Sequence, residues 1–244
     1  MSRYVALTCS ALARSIYALA STAPSIVTVR LFDQGLHNQP GMLRDRLQAA
    51  IDEIQPDEAD AVLLAYGICG TSTVGLQARQ IPLVIPRAHD CITLYLGSRE
   101  RYQQEFDAHP GTYWYSADYL ERSKSGTGLG ASAPGMIDTI YEDYVARYGK
   151  DNADYLMEVM GEWTKHYTRA VFIDTGQGDS LHYEAVARDE AQRRGWLYER
   201  KEGNRRLLQM LVHGQWDDRD FLVVPPGFTI RQSGSDDLIQ AVQP

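Results

Sequence analysis

The chain has 244 residues, 44% of them hydrophobic, which is enough to bury a core as one large α/β domain or as two closely joined lobes. Its formal net charge of −8 disfavours nucleic-acid binding, which depends on clustered Lys and Arg. We also expect no membrane partner, because no segment approaches the roughly 20 apolar residues that cross a bilayer. Three cysteines fit a reducing compartment better than a secreted disulfide framework, so we expect a cytoplasmic protein.

Short apolar runs recur along the chain, each followed by small or polar residues and then by a helical pattern. This alternation predicts an open, mostly parallel sheet with right-handed crossovers, which is a doubly wound, Rossmann-like α/β fold. The predicted strands span 4–8, 26–31, 61–65, 83–85, 170–173, 196–200 and 221–224. Apolar periodicity predicts helices over 42–54 and 155–167. A rigid turn at 225–228 is expected at the edge of the sheet where the other strands end.

The segment from about 97 to 150 breaks this rhythm. It contains the aromatic run 111–115, a glycine-rich run at 125–130 and Pro134-Gly135. We therefore predict an N-terminal half over 1–96, an insertion over 97–150 and a C-terminal half over 151–244. The insertion is either a lid over a site or an irregular connection between lobes. Its Gly-x-Gly-x-Gly spacing follows no predicted strand and does not match the dinucleotide fingerprint.

All three cysteines are predicted to lie at the carboxyl ends of strands. Cys9 closes the first strand, Cys69 follows the third and Cys91 follows the fourth. Ligands of open α/β sheets bind outside these ends, and a strand order of 2-1-3-4 would place the three strands side by side. A single cysteine is more often a small buried apolar residue without a role. Because all three share one edge, we predict a metal site that they form together.

One or two histidines are candidates to complete the metal shell. His89 lies near Cys91, and His37 follows the second strand. Three cysteines and one histidine are a common zinc set, whereas three protein ligands with an open fourth position mark a catalytic site. The sequence leaves both arrangements open. An iron–sulfur cluster would need a fourth ligand that is not cysteine, and it is the minority interpretation.

Three residues around this site are candidate catalytic residues. His89 is the first. Asp90 is either an acceptor that orients His89 or the N-cap of the following helix. Arg87 is a candidate to hold a substrate carboxylate or phosphate, against the alternative of a surface ion pair. For the other histidines we favour structural roles; they are His109, His166, His182 and His213.

Glycines mark two candidate cofactor-binding loops. Gly67 and Gly70 flank the Cys69 loop. Gly176 and Gly178 follow the fifth strand, where backbone N–H groups at a helix start can cradle an anion. The alternative for the second loop, slightly favoured, is a tight turn capped by Asp179 or Ser180.

The cysteine motifs carry a resemblance to a known family. The segments Tyr66-Gly67-Ile68-Cys69-Gly70 and Pro86-Arg87-Ala88-His89-Asp90-Cys91-Ile92, with Gly97-Ser98, Cys9 and Leu36-His37, resemble the DUF1638 family of uncharacterised proteins. The likeness covers most of the chain. It implies that Cys9, Cys69, His89 and Cys91 correspond to family positions. It also implies a setting in one-carbon and methylated-amine metabolism, beside corrinoid methyltransferases.

Three functional hypotheses follow. The first is a zinc-dependent enzyme that catalyses or assists a methyl transfer step on a small-molecule substrate. The second is a non-catalytic partner that handles a metal or a corrinoid for a methyltransferase system. The third is a structural α/β protein with inert thiols. The chain lacks the Asp-x-His-x-x-Gly loop of corrinoid carriers, so we do not expect it to be the carrier itself.

Overall fold

The computed structural model describes residues 1–123, 149–150 and 167–243, and all structural statements concern these residues. They form two compact units. The first joins Met1–Tyr102 to Gly203–Pro244, and the second is Gln103–Glu202.

The protein is a mixed α/β protein with a mostly parallel central sheet. In chain order the strands are β1 (Arg3–Cys9), β2 (Ile26–Phe32), β3 (Ala61–Ala65), β4 (Leu83–Pro86), β5 (Thr112–Ser116), β6 (Arg169–Asp174), β7 (Leu197–Glu202), β8 (Phe221–Val224), β9 (Thr229–Gln232) and β10 (Ile239–Val242). The helices are α1 (Ala13–Ala20), α2 (Pro40–Glu53), α3 (Cys91–Leu96), α4 (Arg99–Ala108), α5 (Ala117–Arg122), α6 (Ser180–Arg194) and α7 (Arg206–His213). All the strands predicted from apolar runs are present, with ends that differ by one or two residues at most.

The central sheet of the first unit has the strand order β2-β1-β3-β4-β8. The pairs β1–β2, β1–β3 and β3–β4 are parallel, so the predicted order 2-1-3-4 is confirmed. As a result β1, β3 and β4 are neighbours, and their carboxyl ends lie at one edge of the sheet.

Helix α2 covers one face of this sheet. It begins at Pro40, whose missing N–H is harmless in the first turn of a helix, and it confirms the helix predicted over 42–54. Alternate residues of the strands pack against it in one core cluster, which contains Val5, Leu7, Val62 and Leu64 from the sheet and Leu43, Leu47 and Ile51 from the helix. The intervening residues Ala6, Leu63 and Val84 are also fully buried. Helix α7 contacts β3 and β4 and packs against α1.

The last strand of this sheet corrects one expectation. β8 runs antiparallel to β4, with Phe221 opposite Pro86 and Val224 opposite Leu83. The turn at 225–228 therefore lies at the edge where β4 begins, and its predicted position on the cysteine edge was wrong. The hairpin of β9 and β10, which the sequence reading missed, follows this turn and buries Ile230 and Ile239 in the same core cluster as α2.

The second unit contains the parallel sheet β5-β6-β7. Strand β5 corrects the expectation that the aromatic run at 111–115 belongs to a lid or to an irregular connection. All residues of β5 are buried, which suits aromatic side chains in a strand. Helix α6 confirms the helix expected after the fifth predicted strand. The glycine-rich run at 125–130, Pro134-Gly135 and the helix predicted over 155–167 lie outside the described residues, except for Tyr167.

Among the helices of the described ranges, none combines the length and the apolar character needed to cross a bilayer.

The core position of α2 gives a stability prediction. Leu47 is fully buried, whereas Met42 on the same helix is 46% exposed. We expect Leu47→Ala to lower the free energy of unfolding by about 2–5 kcal/mol, because it leaves a cavity between helix and sheet. Met42→Ala, the matched control, should change it by no more than about 0.5 kcal/mol. Urea denaturation measures both, and equal effects would contradict the packing described.

Candidate functional site

The three cysteines come from three neighbouring strands. Cys9 is the last residue of β1, Cys69 lies in the loop after β3, and Cys91 is the first residue of α3, which follows β4. Their thiols are close enough to act on one another electrostatically: Cys9 raises the pKa of Cys69, and both raise the pKa of Cys91. Across the described ranges, however, no group of three or more His, Cys, Asp or Glu side chains is arranged so that it could hold a metal ion.

Backbone contacts join the loop after β3 to the loop after β4. Ile68 N donates to Ala88 O at 2.9 Å, and Cys69 N donates to His89 O at 3.0 Å. Gly67 permits this approach, since a Cβ on it would lie 2.6 Å from Asp90 N and 2.7 Å from Asp90 Cα. The predicted cofactor-binding glycine Gly67 therefore has a demonstrated packing role between the two cysteine loops.

The Cys69 loop has an unusual backbone. Cys69, Gly70 and Thr71 all have positive φ, at 46°, 61° and 76°. Glycine adopts this region freely, but residues with a side chain do so at a cost in conformational energy. The Ser72 hydroxyl donates to Cys69 O at 2.7 Å and helps to hold the loop in this form. The position of Cys69 thus depends on a tight, strained turn.

Burial dominates the electrostatics of the thiols. It raises the pKa of Cys9 from 9.0 to about 11, with a further increase from Asp33 and a partly opposing hydrogen bond from the backbone of Ala11. Burial also raises the pKa of Cys69 and Cys91, and Asp90 adds to both. The acidic side chains that raise the thiol pKa values are those of Asp33 and Asp90. The metal-free thiols therefore stay protonated near neutral pH.

Asp90 is the N-cap of α3. Its carboxylate accepts hydrogen bonds from Ile92 N at 3.0 Å and Thr93 N at 3.2 Å, and it also accepts one from the Tyr102 hydroxyl at 3.4 Å. Burial raises the pKa of Asp90, although these hydrogen bonds and His89 oppose the shift. Of the two alternatives for this residue, the structure shows the cap. His89 is exposed, and its ring stacks on Tyr102 at a centroid distance of 5.6 Å.

His37 lies in a short 3-10 helix, Gln34–Asn38, after β2. Its Nδ1 is hydrogen-bonded to Gln34 O at 2.5 Å. Metal-binding histidines commonly hold their second nitrogen against a carbonyl in this way, which directs Nε2 towards the metal. The helix is tied to the end of β1, because Gln34 N donates to the Ser10 hydroxyl at 3.0 Å. Ligation by His37 stays a prediction.

Arg87 joins the C-terminal strands to the loop after β4. Its guanidinium donates hydrogen bonds of 2.6 to 3.1 Å to backbone carbonyls, namely those of Asp218, Phe221, Asp237 and Ile239. Burial lowers its pKa. These bonds give Arg87 a structural role that sequence could not reveal, because the carbonyls lie more than a hundred residues away. Its catalytic role stays a prediction.

Gly176 and Gly178 belong to the second unit, whereas the cysteines belong to the first. Gly176 N donates to the Asp174 carboxylate at 2.9 Å, and Asp179 caps α6 by accepting from His182 N at 3.1 Å. The tight, capped turn expected as the alternative is therefore present. Anion binding by this loop stays a prediction.

Tyr66 is a polar residue of the site that the sequence reading did not single out. It is 2% exposed, and its hydroxyl has no hydrogen-bond partner within the described part of the chain. Burial raises its pKa, and the nearby thiols of Cys9 and Cys69 add to this shift. The alternation of Val62, Leu64 and Tyr66 could have indicated its burial, because Tyr66 extends by one step the row of β3 residues that face the core.

Comparison with known proteins places the chain in a family. The sequence model of a family described as proteins of unknown function, DUF1638, matches residues 31–212. The chain belongs to the DUF1638 family. The match includes His37, Cys69, His89 and Cys91, and Cys9 precedes it. No curated protein and no solved structure matches this DUF1638 protein.

The contact at Gly67 gives a second prediction. Gly67→Ala should lower the free energy of unfolding by about 1–3 kcal/mol, because the new methyl group overlaps the backbone of Asp90 and pushes the two cysteine loops apart. Gly41→Ala is the control, since nothing lies within 4 Å of a Cβ there. We expect that change to be neutral or to stabilise by up to about 1 kcal/mol. Chemical denaturation distinguishes the two, and a harmless Gly67→Ala would refute the close approach.

The raised pKa of Cys9 gives a third prediction. The folded thiol holds its proton more tightly than the unfolded one, so its stabilising contribution is complete below pH 9 and is lost as pH rises towards about 11. The free energy of unfolding of chelator-treated protein should therefore fall over this interval. It should fall less in Cys9→Ser, which has no thiol to ionise. Ser21→Ala, a change at an exposed residue, is the control and should show the same pH dependence of the free energy of unfolding as the wild type. If Cys9→Ser also shows the same pH dependence as the wild type, the raised pKa is not that of Cys9.

Proposed function

We propose that Cys9, Cys69 and Cys91 together bind one soft metal cation, with zinc as the expected ion. Thiolates and imidazoles suit zinc, and this edge of the sheet offers both. The support is the arrangement of three thiols on three adjacent strands, near enough to influence one another's ionisation. Iron–sulfur and corrinoid contact remain the other cofactor candidates.

The observation that carries this proposal is the position of the three cysteines at the carboxyl ends of three adjacent parallel strands, and the charge environment of the thiols agrees with it. Asp33 and Asp90 make it harder for the cysteines to ionise, and so do the other cysteines. Such a cluster is a poor place for a free thiolate nucleophile, since thiols with raised pKa values are seldom ionised near neutral pH. A bound cation reverses this situation, because coordination ionises a thiol outright.

Binding requires the thiols to turn towards a common point, since the side chains are not arranged as a metal site as they stand. A cysteine has one side-chain torsion, and a change of rotamer moves the sulfur by about 3 Å. The loops of Cys69 and Cys91 are already hydrogen-bonded together, which keeps these two residues in neighbouring segments. His89, which is exposed, or His37, whose Nδ1 is already engaged, would supply the fourth ligand.

We further propose that the first unit is doubly wound, in the manner of Rossmann-like folds. Helix α2 packs on the face of the sheet that contains Val5 and Leu7. Helices α1 and α7 contact strands of the same sheet, and the residues that alternate with those of the α2 face are also buried. In such sheets ligands bind outside the carboxyl ends of the strands, which is where the cysteines lie.

For the reaction, we propose a methyl transfer step of one-carbon or methylated-amine metabolism in the cytoplasm, either catalysed or assisted by this protein. The partner would be a small-molecule substrate or a corrinoid methyltransferase system. The support is the family resemblance of the cysteine motifs together with the chemistry of zinc, which lowers the pKa of an acceptor thiol. Arg87, His89 and Asp90 are the candidate catalytic residues beside the metal ligands.

The metal content of the full chain tests the proposal. Protein purified without oxygen should hold one equivalent of zinc. Cys9→Ser, Cys69→Ser and Cys91→Ser should each bind zinc at least about 10-fold more weakly, because each removes a thiolate ligand. His182→Ala is the control, since His182 is an exposed residue of α6 in the other unit, and it should retain full zinc content.

Two results would overturn parts of this account. Wild-type protein that takes up no zinc, cobalt or iron under anaerobic conditions would refute the metal site. Zinc-loaded protein that transfers no methyl group from methylcobalamin to a thiol or a folate would refute catalysis of that step and favour a metal-handling partner of a methyltransferase.

A further inference from the structure

We propose that β2 is a dimerisation strand, which pairs in antiparallel order with β2 of a second copy of this chain about a two-fold axis at Val29. The pairing joins the central sheets of the two copies into one continuous sheet. The inference concerns the edge of that sheet and is independent of the proposed metal site.

Strand β2 has an unpaired edge. It is the outermost strand of the central sheet, and within the described residues it pairs with β1 alone. Ile26 N donates to Ser2 O at 2.9 Å, so the backbone polar groups of Ile26 point towards β1. Because these directions alternate along a strand, the N–H and C=O groups of Val27, Val29 and Leu31 point away from β1. Among the described strands, none pairs with these outward groups.

The composition of β2 lacks the features that protect edge strands from association. The strand has seven residues, none of them proline, and most of them are β-branched or aromatic. Ile26 is 53% exposed and Leu31 is 38% exposed. The single charged side chain, Arg30, forms an ion pair with Glu53 of α2 at 3.3 Å. A long, exposed, apolar edge of this kind is a template for another strand.

Two other edge strands of the described sheets differ from β2 in this respect. β7, at the edge of the second sheet, has charged residues at all four positions of 199–202. β8 has only four residues, and Arg87 donates a hydrogen bond to the carbonyl of Phe221 on it. Charges and short length are the usual means by which proteins keep an edge from pairing.

The sequence of β2 is complementary to itself in antiparallel order. With the axis at Val29, this residue lies opposite its own copy, and Val27 lies opposite Leu31 of the partner subunit. All three residues have outward backbone groups, so each pair exchanges both of its N–H···O bonds. Their side chains lie on one face of the sheet and form a continuous apolar row across the axis.

Charge and strand length select this axis. On the opposite face it places Thr28 against Arg30 of the partner subunit and Ile26 against Phe32 of the partner subunit. An axis at Arg30 would set two arginines opposite each other, which destabilises a strand pair, and would leave Ile26 beyond the paired region. An axis at Thr28 would leave Phe32 beyond it. Only the axis at Val29 pairs the whole strand, and a second copy of the chain meets this requirement at every position.

The proposed dimer keeps the two cysteine clusters apart. The paired β2 strands run in opposite directions, so the carboxyl ends of β1, β3 and β4 lie at opposite edges of the joined sheet in the two copies. Each cluster therefore belongs to one protomer. Failure of the metal site would leave the dimer standing, and failure of the dimer would leave the metal site standing.

Sedimentation equilibrium of the full chain tests the inference. The wild type should sediment as a dimer that dissociates on dilution. Leu31→Lys should raise the dimer dissociation constant at least about 10-fold, because it places a charge within the apolar row. Val223→Lys is the matched control: Val223 is 39% exposed on β8, and the same change there should leave the dissociation constant unaltered.

Hydrogen exchange of the wild type tests the same pairing without a variant. The outward amides of Val27, Val29 and Leu31 should be protected at concentrations where the protein is dimeric and should exchange rapidly on dilution. Mass spectrometry of the peptide that covers 26–32 should therefore show about three more protected amides in the dimer. The peptide that covers 221–224 should show no dependence on concentration.

Three results would overturn the inference. The first is a wild type that stays monomeric at the highest concentrations reached, in which case the β2 edge is left for a different partner. The second is a dimer that tolerates Leu31→Lys as well as it tolerates Val223→Lys. The third is a dimer in which the exchange of 26–32 does not change on dilution.

Discussion

Parallel pairing of β1, β3 and β4 is the constraint on which the site depends. Because these strands run in the same direction and lie next to one another, the segments that follow them emerge at one edge of the sheet. Cys9, Cys69 and Cys91 lie on those segments. The backbone bonds from Ile68 and Cys69 to the loop after β4, made possible by Gly67, then bring two of the three segments into contact. Without this strand order the three cysteines would not lie at the same edge of the sheet.

Burial gives the cluster its chemical character. The thiols, the Tyr66 hydroxyl and the Asp90 carboxylate all have raised pKa values for which burial is the largest cause. Each of these groups resists becoming an anion. A cation bound by the three cysteines, as proposed, would offset this cost for the thiols, because coordination ionises a thiol.

Much of the first unit could be predicted from the sequence. Strands buried on both faces are continuous apolar runs, so β1, β3 and β4 were evident, and the position of each cysteine after a strand followed directly. The direction of β8 could not be predicted, because a short apolar run looks the same in either direction. β5 was missed because its aromatic residues also suit a lid.

The details of the site needed coordinates. Arg87 binds carbonyls that are remote in sequence, and no local pattern reports such contacts. Gly67 matters because the backbone of Asp90 lies too close to leave room for a Cβ, and this contact is visible only in the folded structure. The sequence assigns Tyr66 no role, because a tyrosine after an apolar run does not reveal that its hydroxyl is buried without a hydrogen-bond partner among the described residues.

X-ray absorption at the zinc edge of the loaded wild-type protein tests the central claim most directly. The account predicts a first shell with three sulfur atoms at about 2.3 Å and one lighter ligand. A shell of nitrogen and oxygen atoms alone would show that the cysteines do not share an ion and would contradict the account.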